Sequence, residues 1–67
     1  MLIVTTSGSV YHIKERKKRV VCRRRDMDRP YQRMWITEDN HLRIQFSDEE
    51  WMQTREIVFK LWFFGLI

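Results

Sequence analysis

The chain is 67 residues long, 33% charged and 13% aromatic, with a formal net charge of +4. A domain this small has a marginal core unless something staples it. A lone cysteine, Cys22, with no CxxC or HxxxH spacing, excludes both an intramolecular disulfide and a structural zinc site, which leaves dense aromatic packing or self-association to supply the rest.

Leu2 to Thr6 is β-branched and apolar on both faces, the mark of a buried strand, and Ser7-Gly8-Ser9 supplies the turn that ends it. Val10 to Glu15 returns antiparallel, with Tyr11 and Ile13 on the core face. Glu15-Arg16-Lys17-Lys18 has neither Gly nor Asn, which predicts a longer type I connection or a protruding hairpin with a cationic tip. Arg19 to Arg25 reads as a third strand, with Val20, Cys22 and Arg24 on one face and Arg19, Val21, Arg23 and Arg25 on the other. Asp26 to Tyr31 reads as a loop, because Pro30 lacks a donor and pushes Arg29 out of the helical region. Arg33 to Thr37 is a fourth strand and Glu38-Asp39-Asn40 a tight polar turn. His41 to Phe46 is a fifth strand, in which Leu42, Ile44 and Phe46 alternate with His41, Arg43 and Gln45.

Ser47 followed by Glu50 is a capping box, and Asp48, Glu49 and Glu50 place three carboxylates where a helix favours them. At about 100° per residue, Trp51, Met52, Val58, Phe59, Leu61, Trp62, Phe63 and Leu66 fall on one broad arc opposite Glu49, Gln53, Glu56 and Lys60. Gly65 is placed to close that helix. The expectation is one α+β domain over residues 1–67: an antiparallel sheet of four to five strands over 1–46, carrying a basic hairpin, with one C-terminal amphipathic helix over 47–67 packed on one face. Its core would be Ile3, Tyr11, Ile13, Val20, Ile36, Leu42, Ile44, Phe46, Trp51, Val58 and Trp62. The arc is wider than one sheet face covers, so Trp62, Phe63, Phe64 and Leu66 are expected to form the self-association seam of a homodimer.

Charge is distributed unevenly. Residues 1–33 hold ten basic and three acidic side chains, whereas residues 34–67 hold three basic and six acidic ones. The run KERKKRVVCRRR concentrates Lys14, Arg16, Lys17, Lys18, Arg19, Arg23, Arg24 and Arg25 on two adjacent strands. Such a field attracts phosphate backbones by releasing condensed counterions. It equally suits an acidic protein surface, or a solvated sheet edge that uses charge against aggregation. His12, His41 and Cys22 are not at ligand spacing, and Asp26, Asp28, Glu38 and Asp39 are explained by salt bridges more cheaply than by Mg²⁺. No nucleophile triad, phosphate-cradling glycine loop or acid/base carboxylate pair is present, which points away from an enzyme and from a cofactor. MLIVTT lacks the basic start of a signal peptide. The apolar run near the end, broken by Lys60, is far short of the roughly 20 residues that span a bilayer, so a soluble protein is expected.

The opening TTSGSVY followed by a charged hairpin resembles short, mostly uncharacterised proteins encoded by actinobacterial phages. The resemblance covers about the first fifteen residues, and the ending RIQFSDEEW departs from the more sheet-rich members. It implies action in the cytoplasm of an infected bacterium by binding a host component, and it carries no active residues over. The resulting expectation is a non-enzymatic binding protein whose basic hairpin engages DNA or RNA. The alternative is an inhibitor or adaptor docking on an acidic host protein.

Overall fold

A computed structural model describes residues 1–61. Among them are seven strands: β1 (Leu2–Thr5), β2 (Val10–Lys14), β3 (Arg19–Cys22), β4 (Met27–Pro30), β5 (Arg33–Ile36), β6 (His41–Gln45) and β7 (Trp51–Leu61). A 3-10 turn over Arg23–Arg25 separates β3 from β4. All neighbouring strands pair antiparallel, in the order β4-β3-β2-β1-β7-β6-β5.

The two outermost strands of that order, β4 and β5, are consecutive in the chain and only Tyr31 and Gln32 lie between them. The Tyr31 amide donates to the Lys18 carbonyl at 2.9 Å, extending the ladder with β3, and the Gln32 amide donates to the Gln45 carbonyl at 2.8 Å, extending the ladder with β6. Successive amides on one extended chain point opposite ways, so one peptide step carries the chain from one rim of the sheet to the other. Two rims so joined must curl towards each other, and the sheet forms a half-barrel.

The concave side of that curl is the core. Ile3, Tyr11, Ile13, Val20, Cys22, Leu42 and Ile44 are buried at every second position of β1, β2, β3 and β6, and Met1, Tyr31 and Ile57 join them. Period-two burial of this kind needs only alternating β-branched or apolar residues, which those strands have. Each such side chain contributes about 1.5–3 kcal/mol when fully buried. The turns obey local chemistry. Gly8 takes φ +83° and closes the β1–β2 turn through its amide to the Thr5 carbonyl, and Asn40 takes φ +66° to end the β5–β6 turn that Glu38-Asp39-Asn40 predicts.

The expected C-terminal helix is overturned: Trp51–Leu61 is the longest strand, not a helix, and the described chain is nearly all β. One of the two capping-box bonds forms, from the Glu50 amide to Ser47 Oγ at 3.1 Å, whereas the Ser47 amide donates to the Glu50 main-chain carbonyl at 3.2 Å rather than to its carboxylate. Both close the hairpin loop between β6 and β7, alongside the Phe46 amide bonded to the Glu50 carbonyl. Two irregularities in β7 account for the misreading. Thr54 and Ile57 are both buried but three residues apart, and the ladders to β6 and β1 both slip their register here. A bulge adds one residue to a period of two, so inward positions Met52, Thr54 and Ile57 acquire a spacing that resembles one face of a helix. Thr54 stitches the first slip: its hydroxyl accepts from the Leu42 amide at 3.1 Å and donates to the Arg55 carbonyl at 2.8 Å.

Three further expectations change. Arg23–Arg25 leaves strand geometry after Cys22, ending at Asp26 with φ +51°, and Met27–Pro30 is a strand rather than a loop. Pro30 is tolerated because β4 is a rim strand and the Pro30 nitrogen faces away from β3. Of the expected core, Trp51 and Val58 are outside, 56% and 61% exposed. Ile36 and Phe46 pack at its margin, half-buried. Trp62, Phe63, Phe64 and Leu66, with the seam assigned to them, lie outside the described residues.

Candidate nucleic-acid interface

The basic run is divided by the fold into two clusters at opposite ends of β3. At one end, the β2–β3 turn presents Arg16, Lys17 and Lys18 between Lys14, the last residue of β2, and Arg19, the first of β3, which face each other across the ladder. The turn is closed by the Lys18 amide on the Glu15 carbonyl at 3.3 Å, and Lys18 itself takes φ +49°. A lysine in the left-handed region carries strain that glycine would not. Lys18 Nζ donates to the Gln32 carbonyl at 3.4 Å, which sets the hairpin tip beside the step between the rims. Arg16 and Lys17 are exposed.

Two carboxylates temper this end. Arg19 Nε donates to Asp28 Oδ1 of the neighbouring rim strand at 2.6 Å, an exposed pair. Glu15 sits at the base of the turn, and its charge, after burial, adds to the forces raising the Tyr31 phenol above its ordinary range. The remaining four cations, Lys14, Arg16, Lys17 and Lys18, outnumber the one remaining acid, Glu15, on this turn.

The second cluster is the 3-10 turn. Arg25 donates to the Tyr11 hydroxyl at 3.3 Å, which holds its guanidinium against the inner end of the sheet. Arg24 lies across the β1–β2 turn, its Nη1 only 2.7 Å from where a Cβ on Gly8 would stand. With Arg23 it bounds a surface groove of about 430 Å³ on the outer side of β1–β3, whose floor is Leu2, Val10, His12 and Val21 and whose far end is Lys14. Sequence reasoning found every cation of this groove but placed the apolar floor nowhere. Strand alternation shows the Val10, His12 and Lys14 face of β2, yet only the pairing with β1 and β3 shows that Leu2 and Val21 continue it.

On the same rim strand, β4, Arg29 makes a two-pronged bridge to Glu50 of the β6–β7 loop, at 2.7 and 2.8 Å, while its guanidinium lies 3.9 Å from the centre of the Phe46 ring. The bridge raises the Arg29 pKa and holds the Glu50 carboxyl below its ordinary range. Asp39 is also held low, first by the Thr37 hydroxyl. Arg29 is thereby tied to the sheet and is not part of the open cationic surface.

Among the described residues no group of three His, Cys, Asp or Glu side chains could hold a metal ion, and Cys22 is buried. None of their helices is long and apolar enough to cross a membrane. Comparison with family models, curated proteins and solved structures gives no match to this chain.

Proposed function

We propose that the chain is a small non-enzymatic binding protein of the phage type, acting in the host cytoplasm, whose β2–β3 hairpin engages nucleic acid through its phosphates. The observation that carries this reading is the hairpin turn, where Lys14, Arg16, Lys17 and Lys18 crowd one end of the sheet against the single carboxylate of Glu15. Point charges on flexible stems suit a polyanion whose charges recur at short intervals and need no fixed geometry. Anisotropy titrations of a labelled oligonucleotide should give a linear fall of log affinity with log salt. Replacing Arg16, Lys17 and Lys18 together by Ala should flatten that slope by roughly 2 to 3, since each phosphate contact contributes about 0.7–0.9. No binding at low salt would remove the reading.

A second reading is favoured by the other side of the sheet. The groove floor of Leu2, Val10 and Val21 continues across the β1 pairing to Phe59 and Leu61, which stand opposite Val4 and Leu2 and are exposed. An apolar strip with Lys14, Arg23 and Arg24 at its ends fits an acidic host protein carrying an apolar anchor. Capture of one protein from bacterial lysate that survives nuclease treatment and is lost on Phe59→Asp would favour docking. Loss of all binding with nuclease would favour nucleic acid.

A further inference from the structure

The outer face of β5, β6 and β7 has a composition unlike the rest of the surface. Register aligns Trp35, Arg43 and Gln53 in one row across the three strands, and Arg33, Gln45 and Trp51 in the row two residues along. Each arginine is fixed twice. Arg43 Nε donates to Gln53 Oε1 at 3.2 Å and its guanidinium lies 4.5 Å from the Trp51 ring centre. Arg33 Nε donates to Gln45 Oε1 at 2.7 Å and its guanidinium lies 5.1 Å from the Trp35 ring centre. Both indoles remain open to solvent, at 38% for Trp35 and 56% for Trp51. Between Trp51 and Arg55, and throughout β5 and β6, there is no acidic residue.

We infer that this face is a stacking platform for the unpaired bases of a single-stranded nucleic acid. The inference rests on the proposed nucleic-acid function and names the ligand class within it. Indole rings and guanidinium planes are among the protein groups on which bases stack, and amide side chains such as Gln45 and Gln53 supply edge hydrogen bonds. A duplex hides its base faces, whereas an unpaired strand presents them. Two strand spacings across and two residues along place the rings roughly 12 Å apart, so one strand a few nucleotides long can reach both. The cationic tip leads into the platform, because Lys18 contacts Gln32, and Gln32 is bonded to Gln45 and precedes Arg33.

The test is anisotropy of labelled oligothymidylate, its matched duplex with oligoadenylate, and labelled polyglutamate, against the full chain and the variants Trp35→Ala, Trp51→Ala and Trp51→Phe. Each Ala variant should weaken single-strand binding by about 5- to 150-fold. Trp51→Phe should restore part of the loss, and duplex binding and the salt slope should stay unchanged. Both residues are exposed, so circular dichroism of the variants should match the parent. Unchanged single-strand affinity in the Ala variants, with binding still lost on neutralising Arg16, Lys17 and Lys18, would overturn the platform and leave the hairpin reading standing. Binding of labelled polyglutamate by the full chain, with no oligonucleotide binding at low salt, would overturn both.

Discussion

Thr54 is one of the few buried polar side chains of the core. Its hydroxyl bonds the Leu42 amide, which the register slip deprives of a backbone acceptor. Thr54→Val keeps the shape and removes the acceptor, leaving a buried N–H unpaired, and should cost about 1–3 kcal/mol in denaturant unfolding. Thr54→Ser keeps the hydroxyl and should cost less, so equal losses would show that methyl packing, not the bond, matters. Lys18 makes the opposite case. Its φ of +49° is strained for lysine, so Lys18→Gly should raise stability by roughly 1 kcal/mol. The same change removes a cation from the hairpin tip and should weaken the nucleic-acid binding proposed for it. Stability and affinity moving in opposite directions is a signature that general unfolding cannot produce.

Among the elements, β1, β2, β5 and β6 were legible because each is a short β-branched, aromatic or alternating run, and turn residues such as Gly8 and Asn40 separate them. β7 was not, because Ser47 and Glu50 make the same local bond in a hairpin loop as in a helix cap, and two bulges blur the period of the strand that follows. β4 was hidden by Pro30, which rules out a central strand but not a rim. The basic residues of the site were legible as composition. Their division into two clusters was not, since it depends on where β3 stops, and the Trp35–Arg43–Trp51 arrangement depends on cross-strand register. The link between β4 and the β6–β7 loop gives a further prediction. Glu50 is held below its ordinary range by Arg29, so the pair's stabilisation is complete above the unfolded value near 4.5 and is lost as pH falls through the lower folded value. Glu50→Gln should therefore lower Tm at neutral pH and converge with the parent in acid, below the lowered folded value of Glu50. A gap that persists there would mean the bridge is not its source.

At the scale of the whole molecule, the far-ultraviolet circular dichroism spectrum should be that of strand, and a helical spectrum would contradict the architecture. The uneven charge of the sequence becomes spatial: the basic residues belong mainly to the β1–β4 meander and the acidic excess to the β5–β7 meander. These meanders meet along β1 and β7 and are otherwise joined covalently only through Tyr31 and Gln32. That single step has a consequence for how the chain can be cut. Severing the backbone between Tyr31 and Gln32 leaves every ladder intact and yields two pieces, 1–31 with nine basic and three acidic side chains and 32–67 with four and six. Each meander covers the other's apolar face in the shared core, so each alone would leave that face open to water. Opposite charge and the shared β1–β7 seam should therefore make them a complementing pair, unfolded apart and strand-rich on mixing, with reassembly slowed by salt.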